Sequence, residues 1–260
     1  MEYLLNEPLL LGLLFALALS GTIELGRLTS AHLRIHEDAN RKDQMVAIRD
    51  GLFVLVSLLL GFTLALAAPR FNERRSLLVE ESVSIGATFL RAGTLPEPYR
   101  GHSRQLLRQY VDARLDLDNA GSDVGRVEAA AGHSRKIQEQ LWGDIVALSK
   151  TDRSAIAAAY LNALNETIDL HDKRIAALEN RIPRAIWLLI FSVTLIAVFT
   201  RGVTLDRRFW LTLVLAPVTF SIVVALIADL DTPSSGLIRL DQRAMQRLKA
   251  DLAVEVGGEQ

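Results

Sequence analysis

The sequence predicts an all-α membrane protein with four transmembrane helices and a long helical insert between the second and the third. Half of the 260 residues are hydrophobic although 23% are charged. The two figures are compatible because the apolar residues are gathered into four blocks, each near the ~20 residues that cross a bilayer. Between the second and third blocks the chain is charged and has helical periodicity, with no strand-like alternation.

The four blocks define the predicted spans. They cover residues 8–25, 46–68, 186–200 and 209–228. No Lys or Arg precedes the first block, which argues against a cleaved signal peptide. We therefore expect membrane helices in residues 1–68 and 186–228, an insert over 69–185 and a tail over 229–260.

The insert is predicted to be an antiparallel bundle of helices. It comprises a continuation of the second span past Pro69 and helices over residues 99–117 and 124–148. A last helix, capped by Thr151 or Asp152, carries a seam of mostly apolar residues that leads into the third span. The seam consists of Leu161, Leu164, Ile168, His171, Ile175, Leu178 and Ile182. The residues after Leu248 are expected to form a loose polar tail.

Several classes of function have no support in the sequence. The net charge of −1 provides no basic field for nucleic acid. With no cysteine, the chain has neither disulfides nor cysteine-ligated metals. It lacks a phosphate loop and the common hydrolase and metalloprotease motifs, so we expect no enzyme, no cofactor and no metal site. Glu80 and Glu81 are adjacent, face different directions on a helix and do not suggest an acid–base pair.

The second span carries two stripes of side chains at four-residue spacing. The large stripe is Val54, Leu58 and Phe62, and the small stripe is Ser57, Gly61 and Ala65. At about 100° per residue, the two stripes are centred about 60° apart around the helix. Small residues at this spacing allow helix backbones to approach closely in lipid.

That angle suits a closed ring of identical helices. Each helix meets its neighbour about 45° from the axis direction in a ring of four, about 54° in a ring of five and about 60° in a ring of six. Geometry therefore leaves the number of copies open. Large apolar side chains around the axis would gate ion flow by dewetting. The alternative is that the small stripe packs against another span of the same chain while the large stripe faces lipid.

Short motifs in and after the second span resemble the bestrophins, a family of pentameric anion channels. The neck-helix motif matches Leu59-Leu60-Gly61-Phe62, Leu64 and Arg70-Phe71-Asn72. The segment after the last span matches Asp229-Leu230-Asp231-Thr232-Pro233-Ser234-Ser235-Gly236. Further matches to the bacterial bestrophin-like membrane family lie at Glu80-Glu81, Gly86, Arg91 and Leu95-Pro96. The chain departs from the family pattern in having one aromatic after Arg70 and none after Pro233.

The resemblance implies a homo-oligomeric ion channel, with a pentamer as the expected ring and chloride as the expected ion. It implies that Val54, Leu58 and Phe62 line the pore neck and that Gly61 lets Phe62 rotate and neighbouring helices close in. The helix-packing residues of the expected ring are those of the small stripe, Ser57, Gly61 and Ala65. The resemblance also implies vestibule residues Arg70, Asn72, Arg74 and Arg75, and a tail motif of Asp229, Asp231, Pro233 and Gly236. The two acidic residues of the tail are too few for a calcium site, which needs six or more oxygens.

The expected location is the inner membrane of a bacterium, where the partners are the lipid bilayer and further copies of the chain. Both sides of the predicted membrane are well supplied with Lys and Arg near the ends of the spans, so the positive-inside rule gives a near tie. The resemblance places the termini and the insert in the cytoplasm. The alternative function is a non-conducting sensor or scaffold, because spans that flank a helical insert also resemble the ligand-binding module of bacterial chemoreceptors.

Overall fold

The computed structural model describes residues 7–33, 39–121, 123–205, 210–232 and 236–257. Within these ranges the regular structure is entirely helical. In chain order the helices are α1 Pro8–Leu33, α2 Ala39–Ala92, α3 Tyr99–Asn119, α4 Val124–Leu148, α5 Ala155–Glu179, α6 Arg184–Val203, α7 Trp210–Asp231 and α8 Arg243–Gly257.

Four stretches of helix in the described chain are long and apolar enough to cross a membrane. The predicted spans lie in α1, α2, α6 and α7, apart from Phe209, which falls outside the described residues. α2 has 54 residues and continues through Pro69. At 1.5 Å per residue it is far longer than the ~30 Å hydrocarbon layer. Charged residues begin at Arg70, so we take the membrane-spanning part of α2 to end near Ala68.

One compact unit contains residues up to Arg70 together with Arg181–Thr232 and Gly236–Ile238. In it α1 packs along α6 and α7. A Cβ atom on Gly202 would lie 2.0 Å from the carbonyl oxygen of Ile23. Glycine is therefore required where the α1 and α6 backbones meet.

α2 contributes one side of its membrane-spanning part to the core of this unit. The buried side chains are Val56, Leu60, Thr63 and Ala67. The Phe53 ring stacks on Phe220 of α7, with ring centroids 5.7 Å apart. One face of α2 is thus fixed against the other spans of its own chain.

The second compact unit contains Phe71–Asn180 and residues from Arg239 onward. Its apolar core takes side chains from α2, α3, α4, α5 and α8, among them Phe89, Leu107, Leu141, Tyr160 and Met245. The expectation of a loose tail is wrong, because α8 extends to Gly257 and Leu252 is buried. Met245 and Leu252 are seven residues apart and so lie on one side of α8.

The start and the buried face of α5 also differ from expectation. Its N-cap is Ser154, whose hydroxyl accepts the Ala157 N–H, rather than Thr151 or Asp152. The buried face includes Thr167 and Arg174. An apolar pattern could not reveal these two positions, because both side chains are polar and are buried by pairing with other polar groups.

Candidate functional site

The large stripe of α2 is uncovered in the folded chain. Val54 is 69% exposed, Leu58 51% and Phe62 61%. These are high values for large apolar side chains on a helix whose opposite face is buried. Within the apolar window of α2 only 22% of residues are buried, against 33% in each of the other three spans. Among the four spans, α2 therefore buries the smallest share of its apolar window within the folded chain.

The small stripe is uncovered as well. Ser57, Gly61 and Ala65 are all exposed, and a Cβ atom built on Gly61 would have no neighbouring heavy atom within 4 Å. The Ser57 hydroxyl is satisfied within the helix by the Phe53 carbonyl oxygen, at 2.9 Å. The alternative in which the small stripe packs against another span of the same chain is therefore wrong.

The polar residues that follow the second span fall into different environments. Asn72 and Arg75 are exposed, and Arg70 is partly buried. The expectation that Arg74 supplies charge to the vestibule is wrong, because its side chain is only 1% exposed. Its guanidinium donates to the carbonyl oxygens of Ala177 and Asn180, both at 3.0 Å. It satisfies carbonyls that the last turn of a helix leaves without partners, and so it secures the end of α5.

The acidic tail motif binds backbone amides. The Asp229 carboxylate accepts the N–H groups of Leu237 and Ile238, each at 2.9 Å. Gly236 has φ +108°, and a Cβ atom there would lie 1.8 Å from an Asp229 carboxylate oxygen. Glycine is therefore required for this turn. Asp231 accepts the N–H of Ile182, and Pro233 lies outside the described residues.

A buried ionic cluster occupies the second unit. Glu81 is fully buried and pairs with Arg114, with a carboxylate-to-Nε distance of 2.8 Å, and also with Arg174. Arg174 pairs in addition with Asp118. Two carboxylates thus balance two guanidinium groups. Burial alone would raise the pKa of Glu81, but Arg114 and Arg174 hold it below its ordinary value.

Two neutral groups complete this cluster. The Tyr110 hydroxyl lies 2.9 Å from Nδ1 of His171 and accepts a hydrogen bond from Gln138 at 3.1 Å. Burial, aided by the positive charge of Arg114, lowers the pKa of His171 to about 4. His171 is therefore neutral near pH 7, so the cluster carries no net charge.

A groove of about 580 Å³ lies between α2 and α5 in the second unit. Its apolar lining includes Val79, Val83 and Leu170, and charged side chains of both signs, Glu166 and Lys173 among them, surround these. Val83 is 66% exposed. The groove is thus a second place where apolar surface is left uncovered.

The model of the bestrophin-like domain family matches residues 11–245. The chain belongs to the bestrophin-like family. The resemblance seen in the motifs of α2 and of the tail is thereby confirmed. No curated protein matches the sequence.

Solved structures of a bacterial bestrophin homolog from Klebsiella pneumoniae have the same fold. One, solved by zinc phasing, gives a TM-score of 0.67 at 16% identity and covers 94% of this chain and 98% of that chain. Two single-substitution variants of that homolog give TM-scores of 0.67 and 0.68, each at 16% identity. Both cover 95% of this chain, and 99% and 97% of theirs. At this identity the likeness establishes the bestrophin fold, and residue roles rest on the geometry of this chain.

The bestrophin-like motifs contain Gly61, Phe62 and Asp231 but neither Arg114 nor Arg174. Charged residues on amphipathic helices usually face water, so periodicity places both arginines on the surface. One sequence signal could have revealed Arg174, namely a charged residue at a helical position next to the predicted apolar seam. Arg174 lies three residues after His171, on the same side of α5, where the structure buries both side chains.

Proposed function

We propose that this bestrophin-like chain forms a ring of identical copies around an ion pore lined by α2. The observation that carries the proposal is that both stripes of its second span are uncovered while the opposite face of the same helix is buried. Lipid can cover apolar side chains, but it gains little from a regular line of small residues. Another helix backbone gains close packing there.

A pentamer is the ring that we favour. Small and large stripes about 60° apart are compatible with the angle of about 54° in a five-membered ring, although rings of four and six lie close. Membership of the bestrophin-like family supports five copies. In such a ring each small stripe meets the neighbouring α2, and the large stripes point towards the axis.

The neck of the pore is then three stacked rings of Val54, Leu58 and Phe62. Apolar rings of this kind exclude water when narrow, and ions cannot pass without water or substitute ligands. We propose an anion, chloride, as the permeant ion. Asn72, Glu73 and Arg75 are the first exposed polar residues after the neck, and Arg75 is the cation among them that an anion would meet, whereas Arg74 is buried.

The proposed setting is the inner membrane of a bacterium. Residues 1–68 and 186–228 supply the membrane helices, and the insert over 69–185 and the tail over 229–260 lie in the cytoplasm. The many charged side chains of the insert support a location in water.

The conduction test is chloride efflux from liposomes that contain the purified full chain. Phe62→Ala should increase the efflux rate, because a smaller ring widens the neck and makes it easier to wet. Leu17→Ala is the matched control, since Leu17 on α1 is 62% exposed and Phe62 61%. Efflux that is absent in the wild type and in Phe62→Ala would remove the support for a channel.

The assembly test is the mass of the protein in detergent. Gly61→Leu should leave the folded chain intact, because nothing lies within 4 Å of the added Cβ, but should lower the assembled mass. Gly21→Leu on α1, which is equally open, should leave the mass unchanged. A wild-type monomer or dimer would refute the ring.

The second candidate is a non-conducting sensor or scaffold, which the open groove of the second unit favours. In that case the insert would lie outside the cell and bind a ligand or partner. The chain has no cysteine, so Glu166→Cys places a single thiol in the groove. Labelling by a membrane-impermeant maleimide in whole cells would favour the sensor, and protection would favour the channel.

A further inference from the structure

The segment that leads into α6 contains a buried backbone donor. Ile182 lies between the end of α5 and Pro183, the N-cap of α6, and is only 4% exposed. Its N–H has no helical carbonyl partner, and a buried amide of this kind requires another acceptor. The carboxylate of Asp231, the last residue of α7, accepts this N–H with its two oxygens at 3.0 and 3.2 Å.

The same carboxylate lies beside a cation on α2. Nη1 of Arg70 is 4.0 Å from Oδ1 of Asp231, and the two side chains are 21% and 9% exposed. A pair that is largely out of water is screened less than a surface pair. Asp231 therefore joins three segments of the membrane unit: the end of α7, the entry to α6 and the end of the membrane-spanning part of α2.

We propose that Asp231 and Arg70 form a latch that sets the position of the pore helix and hence the opening of its neck. This inference rests on the proposed channel function. Arg70 lies eight residues after Phe62, about 12 Å further along α2 and about 80° around it. Holding Arg70 restricts rotation and sliding of α2, and thereby the direction in which Phe62 points. Both latch residues act as positioning groups, since neither belongs to the proposed neck.

Substitutions can separate the hydrogen bond of Asp231 with Ile182 from its ion pair with Arg70. Asp231→Asn keeps an amide oxygen for the Ile182 N–H but removes the charge that faces Arg70. Arg70→Gln removes the other charge, whereas Arg70→Lys retains it. Asp241→Asn is the control, because that carboxylate is exposed and contacts Arg243, two residues further along the chain.

The experiment is single-channel recording of the full chain in planar bilayers. Arg70→Gln and Asp231→Asn should each change the open probability about two- to fivefold, the range that the coupling energy of one ion pair supports. Unitary conductance should not change. The double variant should match either single variant, because both remove the same interaction. Asp241→Asn and Arg70→Lys should behave like the wild type.

Other results would overturn the latch. A change in unitary conductance in Arg70→Gln that Asp231→Asn does not reproduce would show that Arg70 acts through its field on the ions. Effects that multiply in the double variant would show two independent roles. If the wild type conducts and Phe62→Ala changes its current, silent Arg70→Gln and Asp231→Asn variants refute the latch and leave the channel standing. A wild type without current refutes both. If Asp231→Asn fails to fold, the contrast between Arg70→Gln and Arg70→Lys decides.

Discussion

Replacing Glu81 by Gln should unfold the second unit far more easily, while the same change at Glu80 should have almost no effect. The two residues are neighbours in sequence on α2, yet Glu81 is 0% exposed. Glu80 is exposed and accepts a hydrogen bond from the Ser76 hydroxyl at 2.7 Å. The pair therefore compares a buried and an exposed carboxylate at the same chemical change.

The expected magnitude follows from the charge balance of the cluster. Without the Glu81 carboxylate, Arg114 loses its ion-pair partner while its side chain stays 0% exposed, and Asp118 alone faces Arg174. One positive charge is then uncompensated in the interior. Breaking a buried pair by removing one partner costs about 3–5 kcal/mol. That is a large part of the ~5–15 kcal/mol that stabilises a typical domain.

Thermal unfolding of the purified protein in detergent, followed by circular dichroism, measures the difference. Glu81→Gln should lower Tm by about 10 °C, at roughly 2–4 °C per kcal/mol for a chain of this size. Glu80→Gln should stay within about 0.5 kcal/mol of the wild type. If both variants unfold at the same temperature, the carboxylate of Glu81 is not compensating buried positive charge, and the reasoning is refuted.

Three further predictions concern stability. Gly202→Ala should destabilise the membrane unit by at least ~1–3 kcal/mol through overpacking, with the open Gly21→Ala as the unaffected control in a detergent melt. Arg74→Met should lower Tm, since the buried Ala177 carbonyl loses its donor at a cost of about 1–3 kcal/mol, whereas the carbonyl of the exposed Asn180 can bond water instead. The pKa of His171, lowered to about 4 by burial, means that the unfolded chain takes up a proton between pH 6.5 and 4 while the folded chain does not. As the pH falls from 6.5 to 4, the free energy of unfolding should thus decrease by about 3 kcal/mol. Thermal melts across this range should show a smaller decrease in Tm for His171→Gln, whereas a variant of the exposed His133 should decline like the wild type.

The helices and spans were largely predictable because hydropathy and periodicity report burial directly. The predicted helices over residues 99–117 and 124–148 correspond to α3 and α4. The last helix was missed although the same kind of signal was present. Met245, Leu248 and Leu252 are spaced three and four residues apart, which places them on one face of α8, against the core of the second unit.

The polar parts of the candidate site could not be predicted, because their partners are distant in sequence. Arg74 contacts carbonyls 103 and 106 residues away, and Asp231 contacts an amide 49 residues away. A single sequence shows that these residues carry charge but not which backbone group each satisfies. Asp231 and Arg70 both belong to family-like motifs, but the motifs do not show that the two side chains are neighbours in the folded chain.

The case of α2 differs, since its two faces are equally apolar and only the folded chain separates them. Val56 and Leu60 are buried against the other spans, whereas Val54 and Leu58, two residues earlier on the helix, are exposed. Hydropathy places all four of these residues in the membrane, but it cannot show whether a given side chain contacts lipid or another helix. The spacing of small residues adds what hydropathy lacks, because close approach benefits a second backbone and not a lipid chain. An exposed small stripe beside an exposed large stripe is therefore a better indication of self-assembly than either stripe alone.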